Sequence, residues 1–175
     1  PVGALQGLSG GDNVIYFGSF SRLLMPSLRI SYMVLPPHLL PRYNACAHLY
    51  NQTSSTIEQL ALAEFIAGGH LRRHVRHLRK LYALKNTLLR AALTEIFGSL
   101  ITVRSYASGL HIRLAVHTKK TPEELSALAL TNGVRILAVQ TASPNTEPEI
   151  MLSFAGINED HIRPALLLLK KAWFG

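Results

Sequence analysis

The stretch YFGSFSRLLMPSLRISYMVL, residues 16–35, contains the features that decide the fold. Residues 14–20 and 27–35 are rich in β-branched and aromatic side chains, which predicts two short strands. Pro26 lies between the two runs, close to Ser21, Arg22 and Ser27, and predicts a turn between the strands. Because two short strands cannot close a hydrophobic core by themselves, we expect residues 1–50 to belong to a larger sheet.

Helices are predicted to follow this pair of strands. Residues 37–50 can form a helix that is broken at Pro41. A second helix is expected to begin at a cap formed by Ser54 or Ser55 and to end at the glycines that begin at Gly68. Glu58 stands three residues after Ser55, which is the spacing of a capping box.

The next segment, residues 71–98, predicts one long amphipathic helix. Its apolar residues recur at helical spacing and are Leu71, Val75, Leu78, Tyr82, Leu89, Leu93 and Ile96. Basic residues fall largely between them and are Arg72, Arg73, Arg76, Arg79, Lys80 and Lys85. Such a face is more often solvated surface than a nucleic-acid site, so we expect it to face water.

The second half of the chain predicts a compact α+β layer of about four strands and three helices. The strands are expected at residues 101–106, 109–116, 134–139 and 150–154. Thr121 is a helix cap, since Pro122 and two acids follow it. A last helix is expected over residues 158–173, with Lys170 and Lys171 at the end that the helix macrodipole makes negative.

Composition indicates a packed globular protein, because 48% of the residues are hydrophobic and only 16% are charged. The formal net charge is +8, which attracts polyanions in general. Cys46 is the single cysteine, so no internal disulfide is expected and a reducing compartment fits. No signal peptide or membrane-length apolar run is present in the sequence. We therefore expect a cytoplasmic protein without a membrane partner.

Four polar residues in the opening stretch form a candidate phosphate site. Ser19 and Ser21 stand at a strand-to-loop corner beside Arg22, and Arg29 returns on the next strand. Hydroxyls and guanidinium groups that converge in this way can hold a phosphate through charge-assisted hydrogen bonds. Taken alone, the pattern is also that of ordinary surface polar residues in a turn.

A resemblance to a known family sharpens this interpretation. The segment GSFSRLLMPSLRISYMVLPPHLL, residues 18–40, resembles the corresponding segment of MocR-type regulators. These are GntR-family proteins with an aminotransferase-like effector domain. Further stretches agree in order, namely ALQGL at 4–8, YNQTSSTIEQLALAEFIAGGHLRRHVRHLRKLY at 50–82, SGLHIRL at 108–114 and LSFAGI at 152–157. The resemblance covers essentially the whole chain.

The resemblance implies a fragment of a fold type I, pyridoxal-phosphate aminotransferase, of class α/β to α+β. Residues 1–50 would be the remnant of the large cofactor-binding domain, 51–98 the interdomain helices, and 99–175 the small C-terminal domain. It also implies a homodimer, a small-molecule effector of the amino-acid or vitamin B6 type, and DNA binding through a winged-helix domain upstream of Pro1. Tyr50, Asn51 and Gln52 are candidates for a loop at the dimer interface or, equally, for a simple turn.

The decisive departure from the family lies at Arg22, where the family has its Schiff-base lysine. Arginine stays protonated and cannot serve as the amine nucleophile, so the resemblance implies a domain that senses rather than catalyses. Arg29 falls at the family's phosphate-binding arginine, and Ser19 and Ser21 fall where hydroxyls approach the same phosphate. We expect pyridoxal phosphate to be bound without a covalent bond, if it is bound.

A second departure concerns the arginine that holds the substrate carboxylate in this family. Met151 stands at that position, and Arg135 is a nearby substitute. The family's remaining cofactor contacts are expected upstream of Pro1, so we expect this chain alone to bind the cofactor poorly.

Two other functions stay open at this point. One is a genuine pyridoxal-phosphate aminotransferase in which lysine has been changed to Arg22. The other is a nucleic-acid module that uses the basic helix, although no aromatic stacking platform accompanies that helix. No metal site is expected from the histidines, which are either scattered or interleaved with arginines: His70, His74, His77, His111, His117 and His161.

Overall fold

The computed structural model describes residues 3–49, 53–104, 109–139 and 147–175. The chain divides into two compact units, residues 1–75 and 76–175, and the boundary falls inside one long helix. The three-part division predicted from the sequence places its boundaries elsewhere and stays a prediction.

The first unit contains a two-stranded antiparallel sheet and three helices. Its elements are α1 (Leu5–Leu8), β1 (Tyr16–Ser19), β2 (Ser31–Val34), α2 (Leu40–Cys46) and α3 (Thr56–Ala67), with 3₁₀ turns at Pro37–Leu39 and Ala47–Leu49. The strands pair with Tyr16 opposite Val34 and Ser19 opposite Ser31. Both predicted strands are therefore confirmed, and each is shorter than its apolar run.

Two local predictions for the first unit are wrong. Pro41 lies in the first turn of α2, where its missing N–H is no loss, so it begins this helix instead of breaking one. Ser55 is the N-cap residue of α3, but its side chain accepts no hydrogen bond, and the capping box with Glu58 does not form. The side chain of Gln59 bonds the Ser54 carbonyl at 3.1 Å instead.

The first unit buries few of its apolar residues. Of its described hydrophobic side chains only Ile30 and Leu62 are buried, and all four residues of β2 are exposed. Helix α3 leaves Ile57 80% and Leu60 63% exposed. The prediction that this pair of strands closes no core by itself is confirmed.

The second unit is a four-stranded antiparallel sheet with helices against one face. Its elements are the long helix α4 (His70–Phe97, which begins in the first unit), β3 (Ile101–Val103), β4 (His111–Val116), α5 (Pro122–Thr131), β5 (Leu137–Val139), β6 (Glu149–Ser153) and α6 (Glu159–Phe174). The strand order is β3-β4-β6-β5, and all neighbours are antiparallel. The predicted layer of about four strands is confirmed; residues 105 and 106 of the first predicted strand lie outside the described residues.

The two-residue repeat of a half-buried strand holds for only part of β4. Ile112 and Leu114 are fully buried, whereas His111 and Arg113 are exposed, but Ala115 is also buried at 1% exposure. Helices α4 and α6 cover the buried face with Leu89, Leu93, Ile96, Phe97, Ile162, Leu166, Leu169 and Trp173. The indole Nε1 of Trp173 donates to the Leu125 carbonyl of α5 at 3.1 Å, which satisfies its buried N–H.

Thr121 begins α5 with a capping box. Its hydroxyl accepts from the backbone N–H of Glu124, whose carboxylate in turn accepts from the backbone N–H of Thr121. The predicted cap is confirmed.

Several lysines bond backbone carbonyls within this unit. Lys85 is 5% exposed and its Nζ donates to the Ala155 carbonyl at 3.4 Å, so placing it on the solvated face was wrong. Lys170 donates to the Ile96 carbonyl at 2.6 Å, in the last turn of α4. At the C-terminal end of α6, the Trp173 carbonyl accepts a hydrogen bond from Nζ of Lys120 at 2.7 Å. These ammonium groups satisfy carbonyls that a helix or loop end leaves open.

In the described ranges, no helix is both long and apolar enough to cross a bilayer.

Candidate functional site

The four predicted phosphate-site residues lie at one end of the β1–β2 hairpin. Ser19 is the last residue of β1 and pairs with Ser31. One residue further along, the Phe20 N–H donates to the Ile30 carbonyl at 3.0 Å. Ser21 and Arg29 directly follow and precede this bonded pair in sequence, so their backbones leave the sheet side by side. Local pairing therefore brings these residues close together.

The loop that joins the strands begins with a tight turn. The N–H groups of Leu23 and Leu24 both donate to the Phe20 carbonyl, at 3.0 and 2.8 Å. Arg22 stands inside this turn, one residue from Ser21. The turn thus places the backbone of Arg22 at the same end of the hairpin as the two serines.

His74 is a neighbour of this turn that sequence reasoning missed. Its Nε2 donates to the Leu23 carbonyl at 3.2 Å, from the second turn of α4. The sequence predicts that His74 binds no metal, and the structure shows that it is half-buried in this contact. The two residues are 51 positions apart, and no local spacing signals such a contact.

The candidate phosphate site is accessible to solvent, and its two arginine side chains have no bonded partner among the described residues. Ser19, Arg22 and Arg29 are exposed, and Ser21 is half-buried. Across the described ranges, the side chains of these four residues form no hydrogen bond or ion pair. Two unpaired guanidinium groups beside two hydroxyls offer donors to an anion, and a phosphate monoester fits that donor set. The phosphate of pyridoxal phosphate is therefore compatible with this segment.

The aromatic ring of Tyr32 lies against strand β1 of the hairpin. A Cβ atom added to Gly18 would lie 2.2 Å from the ring of Tyr32, so only glycine lets this ring lie against the strand. Phe20 packs on the same ring at a centroid distance of 5.3 Å. A hydrogen bond with Tyr16 raises the pKa of the Tyr32 hydroxyl, which keeps it protonated and neutral.

The predicted carboxylate-site residues lie in the second unit. Met151 of β6 stands between Arg113 of β4 and Leu137 of β5 in the sheet register. Arg113 forms an ion pair with Glu149. Arg135 is exposed and precedes β5, so the residue directly beside Met151 is Arg113 and not the predicted Arg135. Strand pairing, which spacing alone does not reveal, decides this difference.

The histidines differ in their surroundings. His117 Nδ1 lies 2.7 Å from Glu147 Oε1, and its Nε2 lies 2.9 Å from the Thr102 hydroxyl. The hydrogen bond with His117, and then the nearby Arg104, lower the pKa of the Glu147 carboxyl. In the part of the chain that the structure describes, no three His, Cys, Asp or Glu residues are grouped as metal ligands. Residues 50–52, the candidate dimer loop, lie outside the described ranges.

Comparison with known proteins decides the family. A sequence profile of the family "Aminotransferase class I and II" matches residues 1–167. The chain belongs to this family. The fold type I aminotransferase prediction is thereby confirmed, together with the mixed helix and sheet architecture.

Among curated relatives, the HTH-type transcriptional regulator YdeL of Bacillus subtilis (strain 168) is 41% identical over 175 residues, which are 99% of this chain and 38% of that protein. The probable rhizopine catabolism regulatory protein MocR of Rhizobium meliloti is 29% identical, over 99% of this chain and 36% of its own length. The resemblance to the aminotransferase-like part of MocR-type regulators is confirmed. The chain thus spans less than two fifths of the length of these relatives.

Solved structures agree on the fold. The aminotransferase Aro8 from Candida albicans superposes with a TM-score of 0.79 at 21% sequence identity, covering 98% of this chain and 41% of that one. Identity at this level supports a shared fold and leaves activity to be argued from the residues themselves.

Proposed function

We propose that this aminotransferase-family chain is the effector-sensing and dimerising portion of a bacterial transcription regulator, and that it does not catalyse transamination. The observation that carries the proposal is Arg22, which is exposed and has no bonded partner among the described residues, and which we infer to stand where the family has its lysine. YdeL, which is named as an HTH-type transcriptional regulator, and MocR, which is named as a regulatory protein, support the regulatory part of the proposal.

The chemistry of Arg22 follows from its protonation. A guanidinium group stays protonated in proteins and keeps no free electron pair for attack on a carbonyl. Pyridoxal phosphate supplies an aldehyde and an electron-withdrawing ring when it is bound. Arg22 can therefore attract the phosphate as a cation but cannot form the covalent bond that a lysine would.

Ser19, Ser21 and Arg29 complete the proposed phosphate site. Arg29 presents a planar fork that matches two phosphate oxygens, and the two hydroxyls can donate to the third. His74 holds the Leu23 carbonyl and so fixes the turn on which Arg22 stands. Pyridoxal phosphate would be held here without a covalent bond, and an amino acid or a vitamin B6 compound would be the effector.

The rest of the regulator is part of the same proposal. The chain spans 38% of YdeL, so a DNA-binding winged helix would belong to another part of a longer protein. A homodimer would bring two such winged helices to one DNA site, and the protein would act in the cytoplasm where that DNA lies.

The test uses the full-length protein with Arg22→Lys as the informative variant. We expect the wild-type protein to release all of its pyridoxal phosphate on denaturation. The Arg22→Lys variant should show the absorbance band of bound cofactor. After reduction with borohydride, this variant should also carry the mass of the cofactor at position 22. Arg22 is exposed and without partners among the described residues, so the change should alter stability by less than about 0.5 kcal/mol. A borohydride-stable cofactor adduct at position 22 of wild type would overturn the proposal.

A matched variant separates phosphate binding from the covalent step. Arg29→Gln removes the second cation of the hairpin end and should weaken pyridoxal phosphate binding to wild type by roughly tenfold or more. Arg42→Gln changes the same charge at an exposed position of α2, outside the hairpin, and should leave the affinity unchanged.

The alternative function is a genuine aminotransferase in which Arg22 has replaced the lysine. The match of residues 1–167 to the family "Aminotransferase class I and II" supports this second candidate. It predicts that full-length Arg22→Lys converts amino acids to keto acids over many turnovers. The regulator proposal predicts at most cofactor binding and no sustained turnover.

A further inference from the structure

The second unit contains a cavity that none of the preceding chemistry uses. It has a volume of about 90 Å³ and lies between the helix-covered face of the sheet and helices α4 and α6. Leu89, Leu152, Phe154 and Leu166 line it, and all four are buried. At roughly 30 Å³ for each water-sized group, this volume accepts about three carbon atoms.

One charged side chain stands at this cavity. Among the described lining residues Arg135 is the single ionisable one, and it is exposed while the apolar lining is buried. Within the same ranges its guanidinium has no ion pair or hydrogen bond. An apolar cavity with an unpaired cation at its solvent side is complementary to a ligand with an aliphatic body and an anionic head.

The cavity is separate from the position of the family's carboxylate arginine. Leu152 lines the cavity, and successive residues of a strand point to opposite faces of the sheet. Met151, which occupies the family position, therefore points to the other face, beside Arg113. A ligand in the cavity would neither touch Met151 nor replace an amino acid bound on that face.

We propose that this cavity binds a short branched aliphatic carboxylate. The isopropyl group of a molecule such as isobutyrate supplies three carbon atoms for the space among Leu152, Phe154 and Leu166. Its carboxylate lies on the guanidinium of Arg135 in the bidentate geometry that arginine favours. This site does not depend on pyridoxal phosphate or on the regulator proposal.

Ligand-observed saturation-transfer NMR on the full-length protein tests the proposal with isobutyrate as the probe. We expect saturable binding of isobutyrate, and at least tenfold weaker binding of both isobutyramide, which lacks the charge, and acetate, which lacks the branched chain. Failure of isobutyrate to bind, or equal binding of isobutyrate and isobutyramide, would refute the proposal without requiring any variant to fold.

A pair of variants locates the bound ligand. Arg135→Gln should weaken isobutyrate binding at least tenfold and make its affinity equal to that of isobutyramide. Arg163→Gln, which removes an exposed arginine paired with Glu95 on α4, should leave the affinity within twofold of wild type. If both variants bind isobutyrate as tightly as wild type, the ligand lies elsewhere and the assignment of the cavity is wrong.

Discussion

Leu93 offers the sharpest test of how the second unit is held together. It lies in α4 with no exposed surface, in contact with the sheet and α6 through the common core. Leu93→Ala removes three carbon atoms, worth about 2.4 kcal/mol at about 0.8 kcal/mol per buried carbon. The cavity that remains raises the expected loss of unfolding free energy to about 3–5 kcal/mol.

Leu84 supplies the matched control on the same helix. It is 51% exposed, so Leu84→Ala makes the same chemical change and should cost less than about 1 kcal/mol. Trp173 is the single tryptophan and is 1% exposed, so its emission reports the unfolding of this unit. In urea titrations Leu93→Ala should lower the Trp173 midpoint by roughly 2 M relative to wild type. Equal midpoints for the two variants would show that the packing argument is wrong.

Three further predictions concern the ends and the surface of the second unit. Thr121→Ala removes the capping box of α5 and should lower the unfolding free energy by about 1 kcal/mol in the same titration, whereas Thr121→Ser should lower it less. Gly133 follows α5 and has a φ of +82°, where a residue with a Cβ atom is strained, so Gly133→Ala should lower the unfolding free energy by roughly 1 kcal/mol. An unchanged urea midpoint would show that alanine is not strained at this position. The lowered pKa of Glu147 stabilises the fold above the ordinary value of 4.5 and loses that effect on acidification. The thermal midpoint should therefore fall more steeply between about pH 6 and about pH 3 in the wild type than in Glu147→Gln. If the midpoints of the two proteins changed in parallel with pH, the hydrogen bond between His117 and Glu147 would not stabilise the fold.

The sequence predicted those features of the fold that depend only on residues close to one another in the chain. The alternation of buried Ile112 and Leu114 with exposed Arg113 needs only the two-residue repeat of a strand, and the Thr121 cap needs four consecutive residues. Ser19 and Arg29 could likewise be placed together because a short hairpin joins them. These are the parts of the fold that the sequence predicted correctly, whereas the phosphate-binding role of Ser19 and Arg29 stays a prediction.

Contacts between distant residues escaped prediction. In the sequence Lys85 is one of several cations on a basic helix. In the structure its ammonium group donates to the carbonyl of Ala155, which lies 70 positions later in the chain. His74 meets the Leu23 carbonyl across 51 positions. Met151 lies beside Arg113 because of a strand register that the composition of either strand leaves undetermined. Tertiary packing, which spacing does not encode, decides each of these cases.

The bonds from Lys85, Lys120 and Lys170 to backbone carbonyls also affect how the protein meets polyanions. Lys85 is 5% exposed and is poorly available for releasing counterions from a nucleic acid, whereas Lys120 is half-buried and Lys170 is exposed, so their bonds to carbonyls restrict them less. The formal charge of +8 therefore overstates the outward attraction of the folded chain. Heparin retention should be weaker in the native state than after denaturation, when these ammonium groups become free.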